Sequence, residues 1–178
     1  MAIETTRRQL LIPSLALCAT ACRHAARDLA DYTEEEPPRL SSSISTADPR
    51  LTSQLLSGWH QVEQNAWRWT ARNFAVVLRS PPGCASRGAA LQLRLVVPDI
   101  VISRLQSVTI SASIQDTRLA PETYRRRGPA TYIRDVSPRV LSGNSVQVDF
   151  ALDRAISPNQ VDGRELGVIV ERVSLETK

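Results

Sequence analysis

Leu91-Gln92-Leu93-Arg94-Leu95-Val96-Val97 decides the fold class. Leu91, Leu93, Leu95 and Val97 recur two apart and share one side of an extended strand, while Gln92 and Arg94 face the other way. The same period returns at Phe74, Val76 and Leu78, at Val108, Ile110, Ala112 and Ile114, and at Val146, Val148, Phe150 and Leu152, where Gln147 and Asp149 point outward. Trp67-Arg68-Trp69-Thr70 alternates as well, and a last strand is read over Leu166–Leu175. Pro81-Pro82-Gly83, Gly128-Pro129, Ser142-Gly143-Asn144 and Ser157-Pro158-Asn159 separate the runs with turn chemistry. Several strands with one polar face each predict an antiparallel β-sandwich. Beyond Val97 the chain stays apolar to Leu105. Pro98 and the β-branched Val96, Val97, Ile100, Val101 and Ile102 argue against one buried helix there, so two strands with a bend at Pro98-Asp99 are expected.

The first residues follow another logic. Arg7 and Arg8 precede an apolar run from Leu10 to Ala21, and Ala19-Thr20-Ala21 leads into Cys22. A charged stretch, a short apolar stretch and a small-residue cleavage site define an export signal. The run of 12 residues, interrupted by Pro13, is shorter than the roughly 20 that a spanning helix needs. Thr6-Arg7-Arg8-Gln9-Leu10-Leu11 resembles the twin-arginine export motif, and Ala19-Thr20-Ala21-Cys22 resembles a lipobox, with Ala where Leu is usual. That resemblance makes Cys22 the lipidated N-terminus of a bacterial lipoprotein. Its acyl chains (palmitate among them) would be the membrane contact, since two or more chains anchor stably where one does not. Arg23, in place of an Asp, points towards the outer membrane. The organisation expected is residues 1–21 export signal, 22–54 lipidated N-terminus and flexible linker, and 55–178 sandwich. Glu34-Glu35-Glu36-Pro37-Pro38 and Ser41-Ser42-Ser43 carry the linker reading, being polar, proline-containing and without apolar period.

Composition narrows the function. Without residues 1–21 the 22 basic and 18 acidic residues become 20 and 17, a net charge too small to imply nucleic-acid binding. With Cys18 removed and Cys22 acylated, Cys84 has no disulfide partner, and His24 and His60 have no ligand-spaced neighbour. No metal or cofactor is expected. There is no Gly-x-Ser-x-Gly elbow and no phosphate loop. Asp149, Asp153, Asp162 and Glu165 are the carboxylates that would hydrolyse a glycoside if two of them faced each other across a cleft. No enzyme is expected.

Gly58-Trp59-His60-Gln61-Val62-Glu63, with Trp67-Arg68-Trp69-Thr70, and Asp162-Gly163-Arg164-Glu165-Leu166-Gly167 form a second pair of motifs. Together they resemble a jelly-roll-like β-sandwich that accompanies bacterial surface-polysaccharide glycosyltransferases and methyltransferases. The resemblance covers Leu55–Leu175 and implies an accessory role near polysaccharide, with a stand-alone module expected in place of one joined to a transferase.

Trp59, Trp67 and Trp69 are candidate sugar-stacking side chains, because indole packs on the C–H face of a sugar ring; the competing reading is core packing. Exposure of Trp59 separates the two. Glu63 is expected to pair with Arg68 or Arg164 as a structural link between the first and last strands. Tyr124-Arg125-Arg126-Arg127-Gly128 is a basic loop suited to an acidic sugar, a phosphate or an anionic headgroup, or else a solvated charge run. The function expected is a non-catalytic, envelope-anchored lipoprotein whose sandwich binds glycan or supports polysaccharide assembly. The alternative is a protein-interaction module of the envelope with no sugar ligand.

Overall fold

The computed structural model describes residues 39–159 and 162–178. Arg7, Arg8, Cys22 and the lipobox reading lie outside the described residues. Nine strands account for most of what is described: β1 (Ser43–Ser45), β2 (Leu55–Glu63), β3 (Trp67–Arg79), β4 (Ala89–Val97), β5 (Val108–Ile114), β6 (Thr117–Tyr124), β7 (Gly128–Val136), β8 (Ser145–Leu152) and β9 (Ile169–Thr177). Two short helices interrupt them, α1 (Cys84–Arg87) and α2 (Asp99–Leu105).

Every strand pair is antiparallel. The strand order is β6-β5-β8-β3-β9-β4-β7, with β2 added along β3 and β1 along β9. β3 turns the sheet into a sandwich. Its first residues pair with β9 through Arg68 and Trp69, and Asn73 to Arg79 pair with β8. The two halves fold over at β3 and enclose the alternating apolar residues. Leu91, Leu93, Leu95 and Val97 of β4, Phe74, Val76 and Leu78 of β3, and Val146, Val148, Phe150 and Leu152 of β8 are all buried. An aromatic row runs through the core. Trp59 meets Phe74 edge-on at 5.1 Å, Phe74 stacks on Phe150 at 4.9 Å, and Tyr132 meets Phe150 edge-on at 6.5 Å. Among the described residues the apolar core lies between Ile44 and Leu175, so the region from Arg39 to Lys178 carries its own core.

The outermost strands, β6 and β7, close on each other through side chains. Tyr132 Oη donates to Ala120 O at 2.9 Å, and Arg134 Nε donates to the same oxygen at 2.6 Å. Arg134 also donates to Pro121 O at 2.9 Å and pairs with Glu122 at 2.9 Å, its guanidinium lying over the Tyr132 ring. Sheet edges are otherwise open to pairing with other chains, and this seam covers both.

Three sequence expectations are corrected. The folded domain begins before residue 55: Ile44 is fully buried, β1 pairs with β9, and Gln54 is buried with its amide bonded to Ser41 O and Val77 O. Residues 39–54 are therefore part of the sandwich and not linker. The stretch after Pro98 is helix α2 and not a second strand. Pro98 sits at its N-cap, where a missing N–H costs no intrahelical bond, and the burial of Val101 overrides the β-branched preference. The final strand spans Ile169–Thr177, with Leu166 held in an isolated bridge to Ile156.

Candidate functional site

β3, β8, β5 and β6 lie side by side, and their outward residues form a groove of about 630 Å³. The register builds it. Ser113 of β5 lies opposite Arg118 of β6 on one side and Asp149 of β8 on the other, and Asp149 lies opposite Ala75 of β3. One row along, Ser111 pairs with Ala151, which pairs with Asn73. Ser57 of β2 completes the rim. The floor is thus serine and alanine, with Phe74, Ala112 and Phe150 closing it from within.

Strand stability does not explain this composition. Ala, Asn and Asp are depleted in strands, and a solvent-facing sheet is ordinarily covered by longer or β-branched side chains. Small outward residues on three neighbouring strands leave a trough instead. Its polar groups are poised for a hydroxyl-rich ligand. Asp149 accepts from Gln147 Nε2 at 2.7 Å and keeps further acceptor capacity, and Ser111 Oγ donates to Ala151 O at 3.2 Å. Arg118 is exposed, and its side chain makes no hydrogen bond or ion pair among the described residues. It flanks Ser113 from the side opposite Asp149, so a guanidinium donor and a carboxylate acceptor face each other across a shallow floor.

None of the three tryptophans lines this groove. Trp59 is half-buried, and its indole N–H donates to Ala75 O at 2.8 Å. Its ring extends the internal aromatic row. Trp69 is half-buried against the core. Trp67 is also half-buried, its Nε1 shielded and without a partner in the structure. Trp59 and Trp69 thus sit as packing side chains.

Arg164 makes the ion pair with Glu63, Nη1 to Oε1 at 2.8 Å. It also grips both oxygens of Asp162, at 3.0 and 2.9 Å. Those bonds hold the Asp162 carboxyl below the usual carboxylate range, and Asp162 first and Glu63 second push the guanidinium upward. Arg68 is not part of this pair. It donates to the backbone oxygens of Thr46 and His60, at 2.7 and 2.9 Å, and so ties β3 to β2 and to the residue that follows β1.

The other carboxylates singled out in the sequence also have structural partners. Asp153 accepts from Thr109 N at 2.7 Å and pairs with Arg154, and Glu165 accepts from Arg72 N at 2.8 Å. Residues Arg125, Arg126 and Arg127 form the exposed turn from β6 to β7, with Arg127 paired to Asp99 at 2.8 Å. Tyr124 lies below them, half-buried. The structure does not bring this turn to the groove. Sequence reading missed the groove itself, whose only signal is the small size of outward residues on strands far apart in the chain.

No protein-family model and no curated protein matches the sequence. Two solved structures are similar in outline. One contains the CBM51-2 and INT domains of ZmpB from Clostridium perfringens, with CBM51-2 in complex with GlcNAc, at 14% identity and a TM-score of 0.36. That match covers 76% of this chain and 28% of the other. The second is a CBM4 structure at 10% identity and a TM-score of 0.34, covering 76% of this chain and 85% of the other. The class that the fold defines is an antiparallel β-sandwich with a polar groove on one outer face.

Proposed function

We propose that this chain is a non-catalytic glycan-binding β-sandwich, carried to the bacterial envelope by its export signal and held there by lipid on Cys22. The observation that carries the binding reading is the groove floored by Ser111, Ser113, Ala75 and Ala151 between Arg118 and Asp149. A polysaccharide strand offers rows of hydroxyls that donate to a carboxylate and accept from a guanidinium and an amide, and a floor of small side chains lets the ring approach the sheet. The same composition supports binding without hydrolysis. Asp149 is the single carboxylate among the groove's lining residues, and glycoside hydrolysis by the common route needs two, set apart on either side of the bond. The anchoring half of the proposal rests on Arg7, Arg8, the apolar run and Cys22 in the sequence.

The test is a titration of the Arg39–Lys178 fragment against a panel of acidic and neutral bacterial surface polysaccharides. Saturable binding is expected. It should be abolished by Ser113→Trp, which fills the trough with a side chain that strands accommodate well. Asp149→Asn should weaken it by about tenfold or more, the scale of one charge-assisted hydrogen bond. A folded fragment that binds no glycan in the panel overturns the reading and favours a protein partner for the same face.

A further inference from the structure

α2 crosses one end of the sandwich, from β4 to β5. Val101 is fully buried beneath it, and Ile102 and Leu105 pack against the core. Ile100 and Arg104, four residues apart and so on one helix face, point away from it. Ile100 is 42% exposed, large for an apolar side chain in this protein. Both residues line a second groove, of about 800 Å³, whose other walls include Leu105, Ile156 and Leu166. The turn of Arg125, Arg126 and Arg127 is tied to α2 by the Arg127–Asp99 pair.

The charges at this end are unbalanced. Asp99 is held by Arg127, Asp153 by Arg154, Asp162 by Arg164, and Glu165 accepts a backbone N–H. The side chains of Arg104, Arg125 and Arg126 are exposed and make no hydrogen bond or ion pair among the described residues. One unpaired guanidinium thus lines the groove beside the exposed isoleucine, and two more stand in the turn that Arg127 ties to the same helix.

We propose that this end of the sandwich docks on an anionic lipid bilayer, with Ile100 entering the headgroup boundary and Arg104, Arg125 and Arg126 meeting lipid phosphates. Two features select the occupant. A small free anion has no use for Ile100 or for the walls of Leu105, Ile156 and Leu166. A peptide lying in the groove would meet Arg104, which lines it, but not Arg125 and Arg126, which do not. A bilayer surface is broad enough to meet the groove and the turn together and supplies negative charge and apolar depth in one partner. The surface is separate from the outer-face groove and does not depend on glycan binding.

The Arg39–Lys178 fragment, which carries its own core and lacks the apolar segment at Leu10–Ala21, is sedimented with two vesicle preparations. One is pure phosphatidylcholine; in the other about a third of the lipid is phosphatidylglycerol. Binding is expected only to the second, and salt should reduce it. Replacing Arg104, Arg125 and Arg126 together by Gln should cost about 100-fold in partitioning, at the usual contribution of a basic residue near an anionic surface. Ile100→Glu should also abolish binding. Both variants alter exposed side chains and should melt with the parent, and both should keep whatever glycan binding the parent shows. Equal binding to the two vesicles, no binding to either, or full binding by the triple variant would overturn the proposal. So would vesicle binding fully displaced by a soluble acidic peptide at charge equivalence.

Discussion

The indole N–H of Trp59 donates to the backbone oxygen of Ala75 at 2.8 Å, which commits this side chain to the fold. β2 carries register shifts on both sides of Trp59, and these bring the ring back over β3 and onto Phe74. Trp59 therefore covers the end of the internal aromatic row and presents no free donor to a ligand.

Trp59→Phe keeps an aromatic ring against Phe74 and loses the hydrogen bond. It should cost on the order of 1 kcal/mol in urea unfolding. Trp59→Ala removes the ring as well and should cost about 3 kcal/mol. Glycan affinity per folded molecule should be unchanged in Trp59→Phe. A loss of affinity in that variant with full stability would return Trp59 to the binding surface.

The bulge that aims Trp59 depends on Gly58. Its φ is +74°, and a Cβ there would lie 2.0 Å from Asn73 O and 2.7 Å from Phe74 Cα. Both are backbone atoms of β3, so no side-chain rotation relieves the clash. Gly58→Ala should cost at least about 2 kcal/mol, from left-handed strain together with the forced separation of β2 from β3. Thermal melting of the variant beside Trp59→Ala is the check, and a variant that melts with the parent would refute it.

The seam between β6 and β7 should be the weakest place to lose one charge. Arg134→Met keeps much of the stem but leaves the oxygens of Ala120 and Pro121 short of donors and Glu122 without its cation. A loss of about 2 kcal/mol is expected. Amide exchange should rise in β6 and β7 before it rises in β4. Uniform acceleration across all strands would mean that the seam does not open separately.

The alternating rows were legible because each is nearly pure. Leu91 to Val97 and Val146 to Leu152 declare one buried face without reference to anything else. β7 hid because Arg134 occupies its inward row between Tyr132 and Val136, and the arginine makes sense only once the β6 oxygens opposite it are known. β6 hid because it carries Pro121 and little apolar residue beyond Leu119, a composition an outermost strand tolerates. α2 hid because local preference pointed to a strand and the burial of Val101 decided otherwise. The Glu63–Arg164 link was readable as a choice between two arginines, and the backbone oxygens that claim Arg68 settle it. The groove was the least legible feature. Ser113 and Asp149 are neighbours only through the β5–β8 register, which no local pattern encodes.

Acid should loosen the loop that precedes β9. Arg164 holds the Asp162 carboxyl below its ordinary range. A depressed folded-state value contributes stability that is present above the unfolded value, near 3.9, and is lost as pH falls through the lower folded value. The advantage of the parent over Asp162→Asn should therefore be constant from neutral pH down to about 5 and should shrink below about 4. Melting curves of both proteins across this window test it. An advantage that instead grew towards low pH would contradict the assigned direction.

Alkali should act through Tyr124. Its hydroxyl oxygen is shielded and has no hydrogen-bond partner in the structure. Burial, and then the negative charge of Glu122, raise its ionisation well above the ordinary tyrosine range. The protonated phenol is thus favoured in the folded state. Its stabilising share is fully present below the unfolded value near 10 and is lost as pH rises from there towards the folded value. Tyr124→Phe cannot ionise and leaves no polar atom unpaired. It should match or exceed the parent by up to about 1 kcal/mol at neutral pH. The gap should widen in the variant's favour above pH about 10. Tyr132, raised in the same direction mainly by burial, is present in both proteins and cancels in the difference. A parent that gained on Tyr124→Phe as pH rose would show that the ionised phenol finds a cation in the folded protein, with Arg134 the first side chain to replace in tracing it.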